Sequence, residues 1–233
     1  MAQKKLQRFA DIKTFANVLE YPENMPGKWN SFFKNDNPVI LELACGRGEY
    51  TVGLSKLFPQ QNFIGVDVKG NRMYIGAKKC LAEKLDNAGF LRTQIERIAE
   101  FFAAAEVEEI WITFPDPQLR VSKAKKRLTH PRFLRLYQQF LKPTGVIHLK
   151  TDSPDLYQFT KTVIELYGLT IVEDYSDVYK QPEVKEELKI KTHYESLDIA
   201  QSNTIHYLKF TLPASIKNID DQLQEQLKNE QPD

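Results

Sequence analysis

Little in this chain points to a stapled, fibrous or membrane protein. Of 233 residues only two are cysteine, Cys45 and Cys80, so no disulfide framework is available. There is no C-x-x-C pair, and the four histidines, His130, His148, His193 and His206, are scattered. That spacing offers no zinc ligands, and no metal site is expected. Ten glycines and twelve prolines are too few for a low-complexity or collagen-like chain. No apolar run approaches the ~18 residues of a membrane span. The opening MAQKKLQRFADIKTF lacks the apolar core of a signal peptide. A thiol-reduced, cytoplasmic protein without membrane contact is expected. An excess of one charge is also missing: 32 Lys+Arg stand against 31 Asp+Glu, a formal net charge of +1. Taken alone, that balance argues against a nucleic-acid partner.

What is present is alternation. Residues 1–37 are polar and aromatic, with turn signals at Tyr21-Pro22 and Met25-Pro26-Gly27, and read as an N-terminal extension packing on a domain. Between residues 38 and 213, short runs rich in Val, Ile and Phe alternate with helix-period segments. Strands are predicted at 38–43, 62–68, 90–93, 109–114, 146–149, 169–172 and 204–212. Helices are predicted at 47–58, 71–87, 95–105 and 131–141, with another from Ser153-Pro154, a cap followed by proline at the first helical position. Alternating strands and helices imply βαβ units and a doubly wound, mostly parallel α/β sheet of seven strands. No long helix separates the last two strands, which predicts an antiparallel hairpin at one edge. The acidic tail 214–233 carries Ile216, Ile219, Leu223 and Leu227 at helical spacing.

Ligands of such sheets bind beyond the carboxyl ends of the strands. There the first strand gives Glu42-Leu43-Ala44-Cys45-Gly46-Arg47-Gly48, the second Asp67, the third Gln94, the fourth Phe114-Pro115-Asp116-Pro117 and the fifth Lys150-Thr151-Asp152. Carboxylates at four of these ends should converge on one edge. Gly46 and Gly48 let backbone approach a ligand closely, and Asp67, 19 residues after Gly48, suits a ribose diol. A dinucleotide or S-adenosylmethionine would both use such a turn. The dinucleotide fingerprint G-x-G-x-x-G/A fails, because Gly46-Arg47-Gly48 runs on into Glu49, Tyr50 and Thr51. An acid at Glu42 repels a pyrophosphate and favours the cationic S-adenosylmethionine. Cys45 reads as a small filler of the turn and His148 as a core residue.

Two prolines fix the backbone around Asp116. Residues 118–135 then carry seven basic residues and no acid, including Arg120, Lys123, Lys125, Lys126 and Arg127. Beside a catalytic turn such a run is expected to contact phosphates. The balanced total therefore conceals opposed segments. Residues 1–13 hold four basic residues and one acidic; 173–198 hold four basic and eight acidic; 214–233 hold two basic and five acidic.

On the turn Glu42–Gly48, Phe114-Pro115-Asp116-Pro117 with its basic continuation, Lys150-Thr151-Asp152 and the late Thr192-His193-Tyr194-Glu195, the chain resembles the bacterial tRNA (guanine-N7-)-methyltransferase family from about residue 38 to 212. The resemblance implies a Rossmann-like, S-adenosylmethionine-dependent methyltransferase fold. It implies the activity of a tRNA (guanine(46)-N7)-methyltransferase, acting on a guanine of the tRNA variable loop as a monomer or homodimer. It puts Glu42, Gly46, Gly48, Asp67, Gln94 and Asp116 at the cofactor, with Asp116 also catalytic. Arg120, Asp152, Thr192, His193, Tyr194 and Glu195 fall at the substrate, and Lys123, Lys125, Lys126 and Arg127 at the RNA backbone. Four departures stand out: Ala44 for the first glycine, Gln94 for an acid, Gln118 for the tryptophan after FPDP, and Arg120 for a lysine. An adenine-amino methyltransferase would place a D/N-P-P-aromatic turn at the fourth strand end. Here Asp116-Pro117 is followed by Gln118-Leu119.

Overall fold

The computed structural model describes residues 2–197 and 204–230. Its strands are β1 (Val18–Glu20), β2 (Val39–Leu43), β3 (Asn62–Asp67), β4 (Ala88–Arg92), β5 (Val107–Thr113), β6 (Leu141–Thr151), β7 (Thr170–Tyr175) and β8 (His206–Thr211). Its helices are α1 (Ala2–Ile12), α2 (Trp29–Phe33), α3 (Glu49–Leu57), α4 (Gly70–Glu83), α5 (Pro131–Tyr137), α6 (Pro154–Tyr167), α7 (Glu186–Lys189), α8 (His193–Leu197) and α9 (Asp220–Glu230).

The strands form one eight-stranded sheet in the order β1-β4-β3-β2-β5-β6-β8-β7. β1 to β6 pair in parallel, and β8 runs antiparallel to both β6 and β7. The chain winds outward from β2 to β3 and β4, then returns to β5 on the other side of β2. That reversal puts the topological switch point between β2 and β5. All five residues of β2 are buried, as a central parallel strand covered on both faces requires. Val39, Leu41 and Leu43 enter the larger core with Trp29, Phe133 and Tyr137. Ile40 faces the opposite layer with Tyr50, Leu54 and Trp111.

The eighth strand is β1, which the sequence pattern does not reveal. Three residues carry too little periodicity to read; pairing with β4 makes the strand. Phe90 N donates to Asn17 O at 2.8 Å and Tyr21 N to Arg92 O at 3.1 Å. Trp29 anchors the same N-terminal stretch: it is buried, its indole donates to Phe101 O at 2.9 Å and its ring stacks on Phe102. All four expected helices with set bounds are shorter, the last two by the most. The segment after Gln94 is a 3-10 helix over Ile95–Phe101. α5 ends at Tyr137 because Leu141 already pairs with Val107 in β6. At the other end of the chain, α9 buries Leu223 and Leu227 in the larger core, and Asp220 joins Arg135 and Tyr167. Residues 231–233 of the expected tail lie outside the described residues, as do 198–203.

Candidate active site

A cavity of about 850 Å³ opens at the carboxyl ends of β3, β4, β5 and β6. Its wall includes Ala44, Gly46, Asp67, Gln94, Asp116 and Asp152. The turn after β2 forms one side. Ala44, Gly46 and Gly48 have φ of 56°, 55° and 74°, the left-handed region that costs an L-residue roughly 1–2 kcal/mol. Gly46 N donates to Asp67 Oδ2 at 2.9 Å, and Lys69 N donates to Asp67 Oδ1 at 2.8 Å. The Asp67 carboxylate thus ties two strand-end turns together while facing the cavity. Gly48 lies behind this wall. A Cβ there would stand 2.6 Å from the Phe90 ring, so glycine is required for packing.

Glu42 lies behind it too. Expected at the cofactor, it is instead buried beneath the turn and does not line the cavity. Its Oε2 accepts from Thr51 N at 2.7 Å and from Thr51 Oγ1 at 2.5 Å, and its Oε1 accepts from Thr113 Oγ1 at 3.0 Å. Burial raises its pKa to about 7 against these hydrogen bonds, which pull it down. Glu42 therefore clamps the first turn of α3 to β5. Cys45 is buried, and desolvation, followed by the charges of Glu42 and Asp67, pushes its thiol upward; it is no nucleophile.

The turn after β5 forms the facing side. Phe114 and Gln118 have φ of 47° and 48°, positions where a bulky side chain is a conformational outlier. Asp116 is exposed, and its Oδ1 accepts from Gln118 N at 3.1 Å. Arg127 supports this turn from behind. It is only 3% exposed. Nε donates to Pro117 O and Gln118 O at 3.2 Å, Nη2 donates to Gln118 O and Leu119 O at 3.1 Å, and the guanidinium lies 4.4 Å above the Phe159 ring. Expected at the RNA phosphate, Arg127 is instead buried, with Nε and Nη2 on backbone carbonyls. Lys126 lines the cavity, while Lys123, Lys125 and Arg120 are exposed outside it.

The end of β6 supplies Asp152, followed by Ser153, whose Oγ caps α6 by accepting from Leu156 N at 3.2 Å. Lys150 points the other way and is fully buried. Its Nζ donates to Leu188 O at 2.8 Å, Ile190 O at 3.1 Å and Glu195 Oε2 at 2.9 Å. The Tyr179 hydroxyl also donates to Glu195. Glu195, expected at the substrate, is thus bound inside the protein. Thr192 accepts from Glu195 N at 3.1 Å and starts α8, and His193 does not line the cavity. Of the four residues only Tyr194 lines it, and its hydroxyl accepts from Arg72 Nη1 at 2.5 Å. His148 is a core residue, stacked on Trp111 and bonded to Tyr207 and Glu109.

Four charged wall residues were not singled out from the sequence: Lys69, Arg72, Glu96 and Asp155. Each follows a strand-end residue by a few positions, which is the signal that could have found them. Counted together, five carboxylates line the cavity among apolar side chains such as Val68, Ile95, Phe114 and Leu128. Size, apolar wall and a few convergent polar groups are the features of a small-molecule site. Acids facing a slot floored by close-approach backbone fit a cationic nucleoside such as S-adenosylmethionine.

Solved structures with the same architecture are methyltransferases. The 30S ribosomal A1408 methyltransferase from an uncultured bacterium matches with a TM-score of 0.58 at 18% identity, over 80% of this chain and 93% of that one. The 16S rRNA (adenine(1408)-N(1))-methyltransferase from Catenulisporales acidiphilia matches at 0.56 and 11%, over 84% and 95%. These likenesses establish the fold. The family model described as "Putative methyltransferase" matches residues 36–208, which makes the chain a methyltransferase by class. Sequence relatives narrow this. A tRNA (guanine-N(7)-)-methyltransferase of Bacteroides thetaiotaomicron is 49% identical, over 91% of this chain and 87% of the relative. That of Porphyromonas gingivalis is 51% identical over 86% of each. The chain belongs to the tRNA (guanine-N(7)-)-methyltransferase family.

Proposed function

We propose that this chain is a tRNA (guanine(46)-N7)-methyltransferase, moving the methyl group of S-adenosylmethionine to N7 of a guanine in the tRNA variable loop. The observation that carries the reading is the convergence of Asp67, Asp116 and Asp152 on one cavity at the strand ends, in a chain of this family. When bound, S-adenosylmethionine supplies an electrophilic methyl group on a sulfonium. Asp67 is placed to accept the ribose hydroxyls, and Gln94 to accept from the adenine amino group. Guanine N7 has a lone pair and no proton, so no general base is needed. The protein's task is alignment and exclusion of water. Asp116 and Asp152 offer acceptors for guanine N1–H and the N2 amino group, which adenine lacks in that pattern. Their charge also stabilises the positive charge that N7 methylation puts on the ring. Exposed Arg120, Lys123 and Lys125, with Lys126 at the rim, are placed for RNA phosphates. Residues 38–213 form the catalytic domain in this reading, with 1–37 and 214–233 as extensions. The enzyme is cytoplasmic, a monomer or homodimer.

The test is to incubate the protein with methyl-labelled S-adenosylmethionine and unmodified tRNA, then map N7-methylguanine by chemical cleavage. Label at guanine 46 is expected. Label on adenine, or none in tRNA, overturns the reading.

A further inference from the structure

Beside the main cavity lies a second recess of about 420 Å³, lined by Phe9, Val68, Lys69, Asn71 and Arg72. Three of these, Val68, Lys69 and Arg72, also line the main cavity, so the two spaces share a wall. Phe9 comes from α1, and the others come from the β3–α4 connection and the first turn of α4. The packing here is close. A Cβ on Gly70 would meet Arg92 at 3.2 Å and Phe9 at 3.4 Å, and Arg92 lies over the Phe9 ring at 5.1 Å.

The chemistry of the recess differs from that of the main cavity, where acids outnumber bases. Here there are two cations, an amide, an aromatic ring and a valine that is 42% exposed, with no acid. Among the described residues Lys69 forms no ion pair, and the hydrogen bond of Arg72 goes to the neutral Tyr194 phenol. Strand order fixes the position. The recess sits at the β3 side of the switch point, whereas the basic 3-10 helix Val121–Lys126 follows β5. The cavity therefore has basic elements on both sides.

We propose that this recess is an RNA subsite that holds the nucleotide next to the target guanine, its phosphate on Lys69 and Arg72 and its base or sugar against Phe9 and Val68. The proposal rests on the tRNA reading above and adds a second phosphate-contacting wall to it. Held on both sides, the strand spans the cavity mouth and the guanine between the two grips enters.

The test measures tRNA binding by the full chain as a function of salt. Wild-type methylation of tRNA, recorded first, decides the tRNA reading on its own. The double variant Lys69→Ala/Arg72→Ala is expected to weaken tRNA binding by about tenfold and to shrink the slope of log K against log[salt] by about 0.8, the value for one phosphate contact. Tyr194→Phe removes the phenol partner of Arg72 and leaves the charges, so its slope is expected to stay at the wild-type value. A wild-type slope in the double variant, or an equal loss in Tyr194→Phe, overturns the proposal. A photoreactive p-benzoylphenylalanine at position 9 gives a second reading. Cross-links are expected at nucleotides neighbouring the methylated guanine. Cross-links elsewhere, or none, from protein that still methylates tRNA count against the recess.

Discussion

The turn after β2 and the turn after β5 leave neighbouring strands, and both hold non-glycine residues at positive φ. They are secured in different ways. The first is fixed from within: Glu42 lies beneath it, Asp67 bonds across its front, and both carboxylates are hydrogen-bonded to adjoining turns. The second is exposed at its tip and is supported from a distance by one guanidinium, that of Arg127, on three successive carbonyls. A turn made of buried, short-range bonds is set once the sheet forms. The turn carrying Asp116 depends on a side chain eight to ten positions beyond the carbonyls it holds, so its geometry can be disturbed without touching the sheet.

The strongest way to break this contrast is to change Asp116 itself. Asp116→Asn removes a charge from an exposed side chain, so folding stability is expected to stay within about 0.5 kcal/mol. Methyl transfer to tRNA is expected to fall on the order of a hundredfold or more, the scale of losing one preorganised electrostatic group. Turnover with labelled S-adenosylmethionine checks it, and wild-type kinetics would remove Asp116 from the reaction.

Arg127→Met tests the support. It keeps the apolar stem and withdraws every donor from Pro117, Gln118 and Leu119. These carbonyls are only partly buried, so water can replace the guanidinium, and a stability loss of about 2 kcal/mol is expected. The turn then relaxes, and a shift of about 1 Å in a positioned group costs up to a hundredfold. If the first turn holds S-adenosylmethionine as proposed, turnover is expected to drop by ten- to a hundredfold while affinity for that cofactor changes little. Arg127→Lys retains charge without the planar fork and is expected to recover only part of the loss. Equal damage to both measurements would show that the two turns are not held separately.

These two residues also show what was legible in the chain. Asp116 could be placed because strand ends of a parallel sheet converge, and its flanking prolines mark the end of β5. The alternation of apolar runs gave the sheet for the same reason. Arg127 sits in a run of cations that looks uniform in sequence. Nothing local distinguishes the one whose guanidinium lies on Phe159, 32 positions away, from its solvated neighbours. The internal bond of Glu195 was hidden in the same way: its partner Lys150 is 45 residues distant. Glu42 was read as facing outward because β2 ends in acid and glycine. Period-2 alternation puts it on the face of Ile40, toward α3.

Glu42 allows a sharper test of the inner turn. Burial raises its pKa from 4.5 to about 7. The unfolded chain then releases this proton near pH 4.5 and the folded protein only near pH 7. The contribution of Glu42 to stability is fully present below 4.5 and is lost as pH rises through 7. The full difference amounts to about 3 kcal/mol. Glu42→Gln is neutral throughout, and a rotated amide can accept from Thr51 while donating to Thr113 Oγ1. Its stability, from urea unfolding at several pH values, is expected to vary less between pH 4.5 and 7 than that of the wild type. An identical pH profile would show that Glu42 ionises inside the protein as freely as in water.

The smallest effect concerns Ala44, the non-glycine residue at positive φ in the first turn. At φ 56° its methyl group costs roughly 1–2 kcal/mol against a glycine in the same backbone. Glycine in turn loses more chain entropy on folding, by roughly 0.5–1 kcal/mol. The two terms oppose each other, and the steric one is larger. Ala44→Gly is therefore expected to stabilise the protein by about 0.5 kcal/mol, visible as a small rise in the urea midpoint at constant m-value. The matching exchange on the other turn, Gln118→Gly at φ 48°, removes the same strain but acts where the backbone is held by Arg127 and the Asp116 carboxylate. If strain in the second turn serves to aim Asp116, Gln118→Gly raises stability by a similar amount and lowers turnover, whereas Ala44→Gly leaves turnover unchanged. Equal behaviour of the two glycine variants would mean that the strained backbone has the same role on both sides of the cavity.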